Sequence, residues 1–256
     1  MPFGSKMAIE NLSASKPNPR DRAEGSSSSN CWGQPSGTLF SVRGSNYLAD
    51  KVKVQGSTAA FQLAAVDWFS SDAIIDGIGE NADCCPRRTL LKDNDDAFCF
   101  IVNMQVPLGA QHRSLVLYYV AQSKFDEKDT LLGQFINGDD AFQAERFKLI
   151  PNIAFGPLVV RKSVGNKPLI VRNALATKFV RGDRYFEVDI NIGSSSVAFY
   201  VVKLVLGYVR KIVVDIAFLI EGKTAEELRD NETIVGTVRI NRMEPDAHKE
   251  YPRAPR

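Results

Sequence analysis

The chain holds 256 residues, 44% of them hydrophobic and 24% charged, and its 32 Lys and Arg against 30 Asp and Glu give a net charge of +2. That near balance argues against a dedicated nucleic-acid binder, whose footprint is strongly basic, and the hydrophobic share argues against a wholly disordered chain. Cys31, Cys84, Cys85 and Cys99 are too few and too irregular for a disulfide framework and contain no C-x-x-C pair for zinc, so a reducing, cytoplasmic setting is expected.

Residues 1–30 lack the apolar stretch of a secretory signal. They carry Pro17, Pro19 and a serine run at 26–29, and are expected to form a disordered polar tail. A single domain is expected over 31–243, and a second tail over 244–256, where Pro245, Pro252 and Pro255 cluster. Inside the domain, short apolar and partly alternating runs predict strands over 39–43, 60–66, 98–106, 115–120, 158–164, 185–192, 212–220 and 234–240. Thr130, followed by Leu131, Leu132, Phe135 and Ile136 with Gly138 just beyond, predicts a capped helix. Asp140 ahead of residues 142–149 predicts a second helix, with Gln143 placed for a capping box and Pro151 closing it. Ser194 or Ser195 caps a third, expected over 196–209. Many strands with few helices between them favour an α+β fold built on a curved antiparallel sheet.

Residues 197–220 imitate a membrane span but contain Lys203, Arg210, Lys211 and Asp215. On the insertion scale each central charge costs about 2.5–3.5 kcal/mol, while a Leu or Val returns only about 0.3–0.6. Two soluble elements joined at Arg210-Lys211 account for the pattern better, so no transmembrane segment is expected.

Chemistry-bearing motifs are sparse. There is no G-x-S-x-G elbow and no phosphate-cradling G-x-x-x-x-G-K-[ST]. Gly77-Ile78-Gly79 lacks the third glycine of a dinucleotide fingerprint and is expected to be a loop. A triad would have to recruit His112, because the only other histidine, His248, falls in the expected tail. Asp93 to Asp96 are too bunched for a calcium loop, and Met104 stands where a bidentate Glu belongs. Asp67 and Asp189 lie in apolar runs and need partners if buried; Arg43 and Lys148 are the expected ones. No catalytic residue, metal ligand or cofactor is expected, and the chain is expected not to be an enzyme.

Two features point toward binding. Over 158–184 Arg161, Lys162, Lys167, Arg172, Lys178, Arg181 and Arg184 face one acid, Asp183, a local net charge of +6 in a chain whose total is +2. Cations interleaved with Val159, Val160, Leu169, Ile170 and Val171 suit anionic lipid headgroups or an acidic protein partner; a solvated hairpin is the plain structural alternative. The expected binding set is Arg161, Lys162, Lys167, Arg172, Lys178 and Arg181. The helix over 196–209 is apolar on nearly every face apart from Lys203. A water-facing side is normally polar, so a helix-grip arrangement is suggested, with Val197, Phe199, Tyr200, Val201, Leu204 and Tyr208 lining an apolar pocket for a hydrophobic small molecule or lipid.

Segments across most of the chain also resemble one family. Cys31-Trp32 and residues 40–48 (Phe-Ser-Val-Arg-Gly-Ser-Asn-Tyr-Leu) open the resemblance, which continues through 65–69 and 102–107. It is strongest at 146–151 (Arg-Phe-Lys-Leu-Ile-Pro), 164–168, 192–198 and 214–221 (Val-Asp-Ile-Ala-Phe-Leu-Ile-Glu). In this order they resemble the plant Enhanced Disease Resistance 2 C-terminal domain family. The resemblance implies a non-enzymatic, lipid-linked regulator of plant defence. Larger members carry a pleckstrin-homology domain and a lipid-transfer domain of the steroidogenic-acute-regulatory type upstream, and neither of those lipid sites is carried over to this sequence. The function expected is a lipid-binding or membrane-associating regulatory module, peripheral on membranes, with a protein-interaction module as the alternative.

Overall fold

The computed structural model describes residues 20–21, 29–81, 84, 91, 96–108, 111–121 and 130–252, and every structural statement concerns these. In chain order they form β1 (Arg20–Asp21), β2 (Cys31–Gly33), β3 (Ser41–Arg43), α1 (Tyr47–Asp50), β4 (Lys53–Gln55), β5 (Gln62–Ser71), β6 (Cys99–Leu108) and β7 (Gln111–Val120). Then come α2 (Leu131–Asn137), α3 (Asp140–Arg146), β8 (Phe147–Phe155), α4 (Leu158–Val164), β9 (Leu169–Ile170), β10 (Ala176–Arg181) and β11 (Tyr185–Asn191). The chain continues through α5 (Ser196–Tyr208), β12 (Val213–Ile220), β13 (Thr233–Asn241) and β14 (Lys249–Glu250).

The fold is α+β with mostly antiparallel pairing, but in place of one curved sheet there are two. The first runs β1-β2-β13-β12-β8-β9 and the second β10-β11-β6-β7-β5-β14, with β3 and β4 as a separate ribbon. Period-two alternation drives the layering. Phe147, Leu149, Ile216, Phe218, Val238 and Ile240 of the first sheet share one core cluster with Phe100, Val102, Leu117, Tyr119, Phe186 and Val188 of the second. Ring contacts span the layers, Phe100 to Phe147 at 6.3 Å and Tyr119 to Phe218 at 6.3 Å between centroids. Gly236 is required here: a Cβ on it would lie 2.4 Å from Tyr119 Cε1, inside the ring's own volume. The other strand faces are also covered. Phe40 and Val42 pack over Ile150, Ala217, Leu219 and Ile234, while Ile78, Cys84 and Leu91 pack over Cys99, Ile101, Val116 and Tyr118. β6, in the middle of its sheet, is therefore buried on both sides along most of its length.

Two elements differ from the expectation. Residues 158–164 form a helix, not a strand: Pro157 at the N-cap and Gly165 at φ +67 just past the end bracket two helical turns. The helix expected over 142–149 ends at Arg146, and Phe147 continues as a strand paired with β12. Asp139 is its cap, accepting from the Phe142 N–H at 2.8 Å. Gln143 reaches back to the carbonyls of Phe135 and Gly138 rather than closing a capping box. The Thr130 cap of α2 is as expected, its hydroxyl accepting from the Gly133 N–H at 3.1 Å.

The segment from Glu244, expected as a tail, runs along the second sheet as far as Pro252. Lys249 and Glu250 pair in parallel with Phe69 and Ser70 of β5, and the Trp68 indole N–H donates to the Pro245 carbonyl at 2.9 Å. At the other end, Arg20 and Asp21 pair with β2 as a parallel edge strand. The rest of residues 1–28, Cys85, Asp93, Asn94 and Asp95 lie outside the described residues.

Candidate functional site

α5 is built by a Ser195 cap, whose hydroxyl accepts from the Ala198 N–H at 3.3 Å, and by a run of good packing residues. Its inner stripe is Ala198, Val202 and Leu206 against the main core, with Val205 and Tyr208 against Ile153, Val160 and Ile212. Those positions fall three and four residues apart, as one helix face requires. The outer stripe stays apolar: Val197 is 73% exposed and Tyr200 68%, and only Lys203 adds a charge. Tucked beside it, α4 buries Val160 completely and leaves Leu158 and Val159 outside, 67% and 50% exposed. Phe155, just ahead of α4, is 58% exposed with the Arg242 guanidinium 5.6 Å above its ring.

The two stretches that build α4 and α5 carry charge of one sign. No Asp or Glu occurs over 146–182 or over 190–214. Arg161, Lys162 and Lys203 are exposed and form no ion pair with a described residue. Arg210 differs, since its fork is held by Glu244 and Asp246. Together α4 and α5 present exposed aliphatic and aromatic groups among unpaired cations. Among the described residues no helix is long and apolar enough to cross a membrane.

The cations expected to act together are divided by the fold. The segment is no hairpin: it leaves α4, adds β9 to the first sheet, makes a turn at 171–173 and enters β10 at the edge of the second sheet. Arg161 and Lys162 stay on α4, Lys167 precedes β9 and Arg172 lies in the turn. On β10, Lys178 pairs with Asp76 at 3.4 Å and Arg181 donates to the Gly138 carbonyl at 3.3 Å. All six are exposed. Of the expected pocket residues, Val197 and Tyr200 face solvent because the inner stripe is already taken by Ala198, Val202 and Leu206. Phe199, Val201 and Leu204 are half-buried, and Tyr208 packs on Ile153, Val160 and Ile212. A depression of about 520 Å³ lies elsewhere, between α2 and α3, lined by Gln134, Asn137, Gly138, Asp139 and Phe142.

A second cluster escaped notice in the sequence. Glu187 and Asp189, two apart on β11, point to the same outer face of the second sheet. Gly77, at φ +65, turns the loop so that three successive N–H groups converge on them. Gly77 donates to Asp189 Oδ2 at 3.1 Å, and Ile78 and Gly79 donate to the two oxygens of Glu187 at 2.8 Å each. The Asn103 amide bridges Asp189 and the Ile75 carbonyl, and Gln105 bridges that carbonyl and Asp76. Burial, then the neighbouring Asp189 charge, pushes Glu187 up to about 9; burial raises Asp189 as well. With both carboxyls closed off from solvent, the arrangement clasps the loop to the sheet.

This clasp has a signature in pH. Burial and the neighbouring Asp189 charge hold Glu187 raised to about 9 in the folded protein, against an ordinary value of 4.5. Between those values the native state holds a proton that the unfolded chain has released, so its contribution is full below 4.5 and is lost as pH rises through 9. The unfolding free energy read from urea titration is expected to fall from pH 5 to pH 9, by at most about 1.4 kcal/mol per pH unit for the one proton. Glu187→Gln is expected to flatten that slope; an equally steep slope in the variant would assign the titration to another group.

The expected partners of Asp67 and Asp189 are engaged elsewhere. Arg43 Nη1 lies 3.0 Å from Glu221, and Lys148 lies 3.6 Å from Glu221 and in contact with Glu232. Asp67 instead pairs with Lys249 at 3.5 Å. Lys148 lies two residues from Ile150 on β8 and so on the same outer face of the first sheet, under the β3 ribbon, where it reaches Glu232 rather than the distant β11. Arg43, Lys148 and Glu221 come from 40–48, 146–151 and 214–221, three of the stretches that carry the family resemblance.

The description "Protein ENHANCED DISEASE RESISTANCE 2, C-terminal" belongs to the family model that matches residues 32–244. A curated relative from Arabidopsis thaliana, "Protein ENHANCED DISEASE RESISTANCE 2-like", is 37% identical over 215 residues, which make up 84% of this chain and 29% of the relative. The chain thus spans less than a third of that relative's length. No solved structure matches.

Proposed function

Because the chain belongs to the Enhanced Disease Resistance 2 C-terminal family, we propose that it is a non-enzymatic regulatory module that associates with anionic membranes through the α4–α5 layer. The observation that carries this is the coincidence of Phe155, Leu158, Val159, Val197 and Tyr200 at the surface with Arg161, Lys162 and Lys203, in stretches without an acid. Apolar groups that enter the acyl boundary gain the transfer energy they forgo in water, and each cation near an anionic leaflet adds about 1 kcal/mol. Aromatic rings fill the space between the sheets, which favours contact at the surface over an enclosed acyl chain. The relative's name refers to disease resistance, and a role in that response is part of the proposal.

Co-sedimentation with vesicles of phosphatidylserine and phosphatidylcholine in equal parts tests it. The chain is expected to pellet with them at low salt and to leave them as salt rises. Reversing Arg161, Lys162 and Lys203 to Glu is expected to weaken binding by about a hundredfold or more, since three cations are worth about 3 kcal/mol together. Binding to pure phosphatidylcholine is expected to be weak. No binding to anionic vesicles at low salt, or binding indifferent to the three reversals, overturns the proposal.

A further inference from the structure

Ser163 lies in the last turn of α4, exposed, directly after Arg161 and Lys162 and four residues before Lys167. We propose that Ser163 is a phosphorylation site for an arginine-directed protein serine kinase, and that its phosphate switches the α4–α5 surface off. The consequence rests on the membrane reading above; the site itself does not.

Two other described serines closely follow an arginine, and the structure disqualifies both. Ser114, next to Arg113, is buried. Ser45 is exposed, but the arginine two residues ahead of it, Arg43, is committed to Glu221, Glu232 and the Gly222 carbonyl and cannot turn to an enzyme. Arg161 and Lys162, by contrast, form no ion pair with a described residue. A kinase also needs its target segment extended. α4 has seven residues, fewer than a helix needs to persist by itself, buries only Val160 completely, and runs into the left-handed Gly165.

In the step, Ser163 Oγ attacks the γ-phosphorus of ATP and an O–P bond forms. The bond from that phosphorus to the β,γ-bridging oxygen breaks, ADP leaves, and the hydroxyl proton passes to the kinase's base. The product carries a charge of about −1.5 to −2, which offsets Arg161 and Lys162. It also removes the Ser163 hydroxyl's hydrogen bond to the Val159 carbonyl, 2.9 Å long, and puts negative charge at the negative end of the helix. The added negative charge disfavours an anionic leaflet, and the lost hydrogen bond loosens the end of α4.

The purified chain would be incubated with ATP and the catalytic subunit of such a kinase, then mapped by peptide mass spectrometry. Phosphate is expected at Ser163, absent from Ser163→Ala and retained in Ser45→Ala. Phosphorylated chain is expected to bind the phosphatidylserine vesicles about tenfold or more weakly, while kinase-treated Ser163→Ala binds as untreated chain does. Mapping that finds Ser163 unmodified in the folded chain overturns the site. Phosphorylated chain that binds undiminished overturns the switch alone. If unmodified chain fails to bind, the membrane reading falls and takes the switch with it, while the mapping still decides the site.

Discussion

Phe147→Ala is expected to lower the stability of this domain by about 3–5 kcal/mol, a large part of the roughly 5–15 kcal/mol that single domains possess. Phe147 opens β8 in the first sheet, yet its ring lies 6.3 Å from Phe100 of the second sheet, 6.0 Å from Phe135 of α2 and 6.0 Å from Phe218, the last almost parallel at 9°. It is 1% exposed, and Phe100, Phe135 and Phe218, each in ring contact with it, belong to the same buried cluster. Truncation therefore costs both the transfer energy and a cavity shared by three layers. Urea unfolding followed by the fluorescence of the buried Trp32 and Trp68 measures it, with a lower midpoint at unchanged slope. Phe147→Leu, which keeps most of the volume, is expected to lose less. A loss below about 1 kcal/mol for the alanine variant would mean that the two sheets are not joined by this stack.

Lys148→Met is expected to cost about 3 kcal/mol or more, for a different reason. Lys148 is 3% exposed and contacts Glu232, itself 1% exposed, while Glu221 stands 3.6 Å away. Burial lowers the Lys148 ammonium from its ordinary range, and the charge of Glu232 opposes that. Removing the ammonium leaves the two carboxylates with Arg43 as their remaining cation in this network, across the β3 ribbon. Lys148→Met with Glu232→Leu, which takes away one charge of each sign, is expected to be more stable than Lys148→Met alone. Equal stability of the single and double variants would show that the pair is not coupled.

Much of the architecture was written locally. The short apolar runs at 60–66, 98–106, 185–192 and 234–240 are strands as their composition predicts, and Thr130 and Ser195 start their helices where their hydroxyls predict. What failed were places where nonlocal pairing outweighs the local signal. Leu158-Val159-Val160 looks like a strand by its β-branched residues, but Pro157 and Gly165 bracket a helix, and only Val160 finds a buried seat. Pro151 looked like a terminator of the helix before it. It lies instead inside β8, tolerated because β9 pairs only with Lys148 and Leu149, so no strand seeks its missing N–H. One curved sheet was expected because the pattern of a strand reports that a face is covered, not what covers it.

The site divides in the same way. Counting charge found Arg161 and Lys162, and the apolar profile of 196–209 announced a helix with a face to spare. Leu158 and Val159 fall in the run that predicts a strand, and Phe155, just ahead of it, carries no signal of its own in the sequence. Asp189 was noticed without Glu187, although two acids separated by one residue in an apolar strand must share a buried face. Their true partners, the 77–79 loop and Asn103, lie far off in sequence and are joined to them only by the parallel register of β11 on β6.

Translation delivers this chain from its first residue, and the order of the strands then has a cost in time. β2 finds its antiparallel neighbour in β13, and β5 is completed by β14, so each sheet waits for something synthesised near the last of the described residues. Until Pro245 emerges, the Trp68 indole lacks its acceptor and the margin of β5 lies bare, a template on which a second nascent chain can pair. Assembly of the whole sandwich is thus postponed until after β13 and β14 have left the ribosome, and a holding chaperone would have its work in that interval.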